Sequence, residues 1–380
     1  MLLLRLPAFW LAVWLMYWSL PLGVLTLYIP VWQLWGARND TFYWVKFLVT
    51  ALGIKFRKRG SGELYSGQAP CIYLANHRSW ADFFVDAYLA GGRAQMLSRM
   101  AVLYAFPMFM APVIAMRGCI VFKRGRIDDK EAFNKWIDGL VEASPQNGLM
   151  VYPEGHRSTL AHSLPLKRGM LHYAYSRKMP VQIIMSANKE SVLSEKELHV
   201  GFGCTVVTSY SGLISPGDYA GFEGFMAAVQ AAWDKEWRDT MSADAAGLPP
   251  LHVSGTIDDN HYPPRLVVSQ LFFSLLGITL LFAASSITWG WILRAKGVLG
   301  PQGAKMVVSF LVAWFAASLA YCYNGQLPKP RLLPDGSEAN GGGAGWKAGG
   351  RPGGGAAAKG GALKAAAAGG GGGGSPKKSS

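Results

Sequence analysis

The sequence predicts an α/β domain, a sheet flanked by helices, carried between an N-terminal membrane hairpin and C-terminal transmembrane helices. Three observations predict it. Short apolar runs alternate with amphipathic stretches between residues 60 and 250. Long uncharged runs stand before and after that region. Of the 380 residues, 51% are hydrophobic and only 16% charged, where a soluble domain usually carries about a quarter charged.

Residues 6–35 hold no charged side chain. As one helix they would reach about 45 Å, past the ~30 Å hydrocarbon core of a bilayer. Pro21, Gly23 and Pro30 interrupt the run, and a proline inside a helix removes a backbone donor and crowds the preceding turn. Two shorter helices are therefore expected, forming a hairpin that dips into one leaflet; a single tilted span is the alternative. Trp10, Trp14, Trp18, Trp32 and Trp35 suit the bilayer interface. A cleaved leader is the less favoured expectation, because the apolar stretch is long and no small-residue cleavage site follows cleanly. This block covers residues 1–58.

From residue 59 to 250 the pattern changes. Mostly apolar runs at 71–75, 119–122, 149–152 and 181–185 read as strands buried on both faces. Residues 128–143 and 222–237 repeat apolar positions at helical spacing. Such alternation puts helices on the faces of a sheet, and chemistry in the loops at strand ends.

Residues 264–327 contain two further uncharged runs, 266–293 and 306–327, each long enough to span a bilayer. Their connector carries Arg294, Lys296 and Lys305. An even number of crossings would keep the chain end on the side of the central domain. Residues 328–380 are Gly/Ala-rich: 18 of the 46 glycines lie beyond Gln326. That composition cannot bury a core, so a disordered basic tail is expected. It ends Lys377-Lys378-Ser379-Ser380, which resembles the dilysine signal that returns membrane proteins to the endoplasmic reticulum; the plain alternative is a solvated basic end.

The formal charge is +14, and the stretch beyond Gln326 supplies six of it from eight basic and two acidic residues. The remaining +8 suits an anionic partner, a phosphate-bearing substrate or an anionic membrane surface. Nucleic acid is disfavoured by the long uncharged runs and the lack of a basic-aromatic recognition motif. A transporter is disfavoured by the few spans and the lack of charges within them. Cys71, Cys119, Cys204 and Cys322 show no ligand or redox spacing, so buried free thiols in a cytosol-facing domain are expected. No metal site is expected from His156, His162 and His172, and no protein partner is legible.

Chemistry concentrates after two of the expected strands. The first loop reads Asn76-His77-Arg78-Ser79-Trp80-Ala81-Asp82. A histidine that takes a proton from an alcohol gains from a carboxylate on its other ring nitrogen. On a continuous helix His77 and Asp82 would point about 140° apart. They meet only if His77 lies in a loop and Asp82 opens the next helix; Asp86 is the lesser candidate partner. The second loop reads Pro153-Glu154-Gly155-His156-Arg157-Ser158. Gly155 lets backbone approach a ligand, Arg157 offers a fork for phosphate oxygens, and Glu154 can orient that arginine or hold a hydroxyl. Lys123 and Arg124 at a strand end and Lys167 in a basic turn add cations. With Asn76 and Arg78 these make up the expected substrate-binding set.

Asn76-His77-x4-Asp82, followed by Pro153-Glu154-Gly155-x-Arg157, resembles the signature pair of the glycerolipid acyltransferases, a family that includes the lysophosphatidic acid acyltransferases. Gly118-x3-Phe122-x-Arg124 is similar to that family's second block, and residues 179–184 to its fourth. The resemblance spans about residues 60–215. It implies that His77 is general base and Asp82 its partner, while Arg124, Glu154, Gly155 and Arg157 bind glycerol phosphate. Acyl-CoA would be co-substrate, with no cofactor, metal or covalent acyl-enzyme. The implied reaction acylates the sn-2 hydroxyl of lysophosphatidic acid, giving phosphatidic acid at the endoplasmic reticulum membrane, with the lipid bilayer as partner. Glycerol 3-phosphate or another lysophospholipid is the alternative acceptor, and a non-catalytic membrane-binding scaffold the alternative class. His156 replaces a common Thr, and Ile183-Ile184 stand where a second proline is common.

Overall fold

Strands buried on both faces need apolar side chains of both parities, and β2 (Cys71–Ala75) shows this. Tyr73 and Ala75 pack into one core cluster, Ile72 and Leu74 into the other, across the sheet. The computed structural model describes residues 2–28, 40–115, 117–123, 129–144, 146, 148–255, 264–327, 331–332 and 338–339. Besides β2, the chain forms β1 (Lys55–Arg59), β3 (Gln95–Arg99), β4 (Cys119–Phe122), β5 (Gly148–Val151), β6 (Val181–Ala187), β7 (Leu193–Ser194), β8 (His199–Val200) and β9 (Thr205–Tyr210). Among the described residues one seven-stranded sheet runs in the order β1-β9-β6-β2-β5-β3-β4. Its pairs are parallel except β6–β9. β7 and β8 form a separate antiparallel pair.

Helices cover both faces. On one side lie α1 (Leu2–Tyr28), α2 (Asp40–Ala51), α3 (Asp82–Leu89), α4 (Met100–Ala105) and α5 (Pro107–Ala115), contributing Phe9, Leu48, Phe84 and Met110 to the first cluster. On the other lie α6 (Lys130–Glu142), α7 (Arg168–Ser176) and α9 (Phe222–Met241), contributing Ile137, Leu171, Val229 and Trp233. A single turn, α8 (Lys189–Val192), follows β6, and α10 spans Pro264–Cys322.

Three features differ from expectation. α1 continues through Pro21 and Gly23 to Tyr28 without the expected break; packing against α10 and α5 offsets the one backbone bond a proline withholds. Residues 29–39, where a second arm of the hairpin was expected, lie outside the described residues, as do Arg124 and nearly all of the tail. The connector expected between the C-terminal spans is helical except at Gly300 (φ 68°), before Pro301. Glycine is the residue that takes this left-handed angle without strain. β1 also joins the sheet ahead of the expected boundary at residue 59.

The two long helices, α1 and α10, are tied to each other by specific bonds. The Ala8 N–H donates to Ser318 Oγ at 3.0 Å and the Trp314 indole to the Leu3 carbonyl at 2.9 Å. α1 and α10 each contain a stretch long and apolar enough to cross a membrane, Leu2–Leu20 and Ser274–Cys322. Phe282, Trp289, Val298 and Phe310 are exposed on α10.

Candidate active site

β2 and β5 pair in parallel, Leu74 beside Val151, so the loops that follow them leave the same sheet edge side by side. After β2 the chain turns before α3 begins at Asp82. That bend brings His77 Nδ1 to 2.7 Å from Asp82 Oδ2, the contact a continuous helix forbids. The same oxygen accepts the backbone N–H of Arg78 and, at 3.0 Å, that of Ser79. With Nδ1 assigned as the donor from this geometry, Nε2 keeps the lone pair.

The second loop clamps the first. Glu154 is fully buried; its Oε2 accepts the His77 N–H at 3.0 Å and its Oε1 the Leu164 N–H at 3.4 Å. Ser158 N donates to the His77 carbonyl at 2.8 Å. The imidazole stacks on the Tyr152 ring, centroids 4.2 Å apart at 18°. Gly155 takes φ 78° between Glu154 and the exposed His156, a left-handed turn suited to glycine.

Electrostatics suit a base. Burial alone would raise the Asp82 carboxyl, but the Lys189 charge and the bonds from His77 and Arg78 outweigh it and hold the group below its usual range. Asp82 is therefore an anion at neutral pH, able to stabilise an imidazolium. Burial lifts the Asp86 carboxyl to about 7; Lys189 opposes this and the Asp82 charge adds to it. Burial also pushes Glu154 up, against the lowering by the His77 and Leu164 N–H groups. Burial drives the Cys71, Cys119 and Cys204 thiols up to about 12, so they are inert.

His77 and Tyr152 line a cavity of about 1530 Å³, larger than the ~300–1,000 Å³ of an ordinary small-ligand site. Val13, Met16 and Tyr17 of α1 line it together with Phe83, Phe106 and Phe109. Arg99, Lys130, Arg157, Lys167 and Lys196 also line it, and among the described residues no Asp or Glu does. Such a cavity fits a ligand, or two, with both an anionic head and an apolar chain.

The expected substrate set divides. Arg157, Gly155 and Lys167 line the cavity; Arg157 is part-exposed and paired with Glu195. Lys123 is exposed at the end of β4. The expectation for Arg78 needs correction: it is 2% exposed, with its guanidinium bound to Glu190 at 2.7 Å and to the Leu160 carbonyl at 2.8 Å. A guanidinium so occupied and desolvated, and absent from the cavity lining, belongs to the frame of the site. Asn76 needs the same correction, since its side chain bonds Ser186 at 2.8 and 3.1 Å across the β2–β6 boundary. Glu154 likewise spends both oxygens on loop N–H groups. Lys189, Tyr152 and Glu190 were missed. Tyr152 stands immediately before the second motif, where a signal existed; Lys189 and Glu190 carry none, because their partners lie over a hundred residues away.

Residues 55–186 match the family model described as Acyltransferase. The 1-acyl-sn-glycerol-3-phosphate acyltransferase of Saccharomyces cerevisiae is 26% identical over 169 residues, 44% of this chain and 53% of the relative. The 1-acyl-sn-glycerol-3-phosphate acyltransferase alpha of Homo sapiens is 25% identical over 184 residues, 47% of this chain and 63% of the relative. The chain thus spans a little over half of the length of the curated relatives it matches. Among solved structures, the 1-acyl-sn-glycerophosphate (LPA) acyltransferase PlsC of Thermotoga maritima aligns over 64% of this chain and 97% of its own, with a TM-score of 0.49 and 16% identity.

Proposed function

We propose, from the match of residues 55–186 to the Acyltransferase family model, that the chain transfers an acyl group from acyl-CoA to the sn-2 hydroxyl of lysophosphatidic acid. The observation that carries this reading is the His77–Asp82 pair opening onto a partly apolar cavity that is basic and, among the described residues, without Asp or Glu.

The acceptor hydroxyl gives its proton to His77 Nε2 as its oxygen bonds to the thioester carbonyl carbon. Asp82 keeps the ring oriented and offsets the imidazolium charge. The tetrahedral adduct collapses, the C–S bond breaks, and the thiolate leaves; a thiol of pKa ~8.5 is a good leaving group. The proton on His77 then passes to the sulfur, and the free imidazole returns. Arg157 and Lys167 hold the acceptor phosphate, which draws Arg157 from Glu195. Residues from α1 and α5 take the acyl chains, so amphiphilic substrates need not be extracted into water. The proposed steps invoke no metal and no resident cofactor.

The test uses the purified full chain in detergent with lysophosphatidic acid and oleoyl-CoA. His77→Ala and Asp82→Asn are each expected to lower coenzyme A release by at least ~10²-fold; near-full turnover in His77→Ala sinks the mechanism. Glycerol 3-phosphate and lysophosphatidylcholine serve as competing acceptors. Absence of release from the wild type with every acceptor favours the scaffold reading.

A further inference from the structure

α8 brings in a lysine that neither motif contains. Asn188 leaves β6 at φ 72°, and every residue of the turn that follows is buried. Lys189 is 0% exposed. Its Nζ donates to the Asn76 carbonyl at 2.6 Å and to both Asp86 oxygens at 2.9 and 2.8 Å. It also stands 3.5 Å from Asp82 Oδ1, an oxygen that accepts no hydrogen bond. The Tyr152 hydroxyl donates to Asp86 Oδ2 at 3.0 Å, and the Tyr152 ring stacks on His77. The contacts close a ring: His77 to Asp82, to Lys189, to Asp86, to Tyr152, and back to His77.

We propose that Lys189 is a positioning residue for the proton transfer: together with Asp86 it sets how tightly His77 holds its proton, acting through Asp82. This rests on the acyl-transfer reading of the site. An ammonium buried among carboxylates is a poor device for stability alone, since an apolar group of similar volume commonly does as well or better. Its placement does serve charge balance. Above about pH 7, where Asp86 as well as Asp82 is ionised, the three groups sum to one negative charge, and a proton on His77 brings the ring to neutrality. Of the other charged groups packed nearby, Arg78 is paired with Glu190, and Glu154 is held by backbone N–H groups. Cys119, near Tyr152, is a neutral thiol. The Lys189 charge pulls both carboxyls down, outweighing burial at Asp82 but not at Asp86.

The experiment follows the His77 imidazole by histidine-selective 13C NMR of the full chain in detergent, its signal assigned by its loss in His77→Gln. Asp86→Asn keeps the shape and removes a carboxylate that is fully ionised only above about pH 7, so the His77 midpoint is expected to fall by up to about one pH unit. Adding Lys189→Met to Asp86→Asn removes the cation with no spare carboxylate left to take up a proton, and the midpoint is expected to climb back by a similar amount. The acid limb of kcat/KM for coenzyme A release should move the same way, with KM for lysophosphatidic acid within about twofold. Folded variants whose His77 midpoint stays put at both steps overturn the proposal. Should the double variant fail to fold, Asp86→Asn alone decides it. Midpoints that move in a chain without turnover uphold the coupling and sink the acyl-transfer reading; turnover with unmoved midpoints does the reverse.

Discussion

Arg78 and Arg157 carry the same guanidinium into opposite surroundings. The Arg78 side chain is 1% exposed and paired with the Glu190 carboxylate, with the Trp237 ring 5.6 Å away. Removing one partner of a buried pair leaves the other charge uncompensated, at a typical cost of 3–5 kcal/mol. Arg78→Ala is therefore expected to lower the thermal midpoint by many degrees or block folding. Arg157 lies at the cavity, 36% exposed, where an ion pair contributes at most ~1 kcal/mol. Arg157→Ala should leave the midpoint nearly unchanged and raise KM for lysophosphatidic acid about tenfold or more, the scale of a lost charge-assisted phosphate bond. Thermal melts and initial rates on both variants check the pair; equal melts would refute the division.

At the scale of elements, the segment from α8 through β8 links the active site to the long helices. Lys189 reaches Asp82 and Asp86, Glu195 pairs with Arg157, and Glu197 pairs with Arg5 of α1. Ser191 Oγ accepts the Leu327 N–H at 2.9 Å beyond α10. His199 on β8 is 4% exposed, and burial, with the Arg5 charge beside it, pushes its imidazole down to about 4. Between pH 6.5 and 4 the unfolded chain thus binds a proton that the native state refuses. Its stability contribution is whole above pH 6.5 and shrinks as pH falls toward 4, by up to about 3 kcal/mol. His199→Gln should flatten that part of the curve of thermal midpoint against pH; a wild type and variant that fall in parallel would exclude it. Asp82, held low, loses its contribution only below its unfolded range near 3.9, so the two effects separate.

For the whole molecule, the dominant feature is apolar surface that the described residues leave exposed. Only 6% of the most apolar window of Ser274–Cys322 is buried, and 17% of that of Leu2–Leu20. Exposed patches of this size mark a membrane or partner surface, and lipid fits a continuous helical one. The full chain is expected to stay in the membrane pellet through alkaline carbonate and to be released by detergent; release by carbonate alone would contradict insertion. If the terminal lysines act as a retrieval signal on the cytosolic side, Lys377→Ser with Lys378→Ser should shift a tagged chain away from the endoplasmic reticulum, and an unchanged distribution would remove that assignment.

Local pattern alone was enough for the strand–helix alternation, the long apolar helices and the two motif loops, because each is written in consecutive residues. The strand at Cys71–Ala75, the loop and the helix starting at Asp82 could be read in order, and with them the condition for His77 to meet Asp82. What the tertiary structure decided is which polar groups face inward. β1 escaped notice because an edge strand reading Lys-Phe-Arg-Lys-Arg buries only Phe56. Arg78 became part of the frame, and Lys189 entered the site, through partners more than a hundred residues distant. A cation's role depends on what desolvates and pairs it, and in a parallel sheet those neighbours come from strands far apart along the chain, where sequence spacing carries no trace of them.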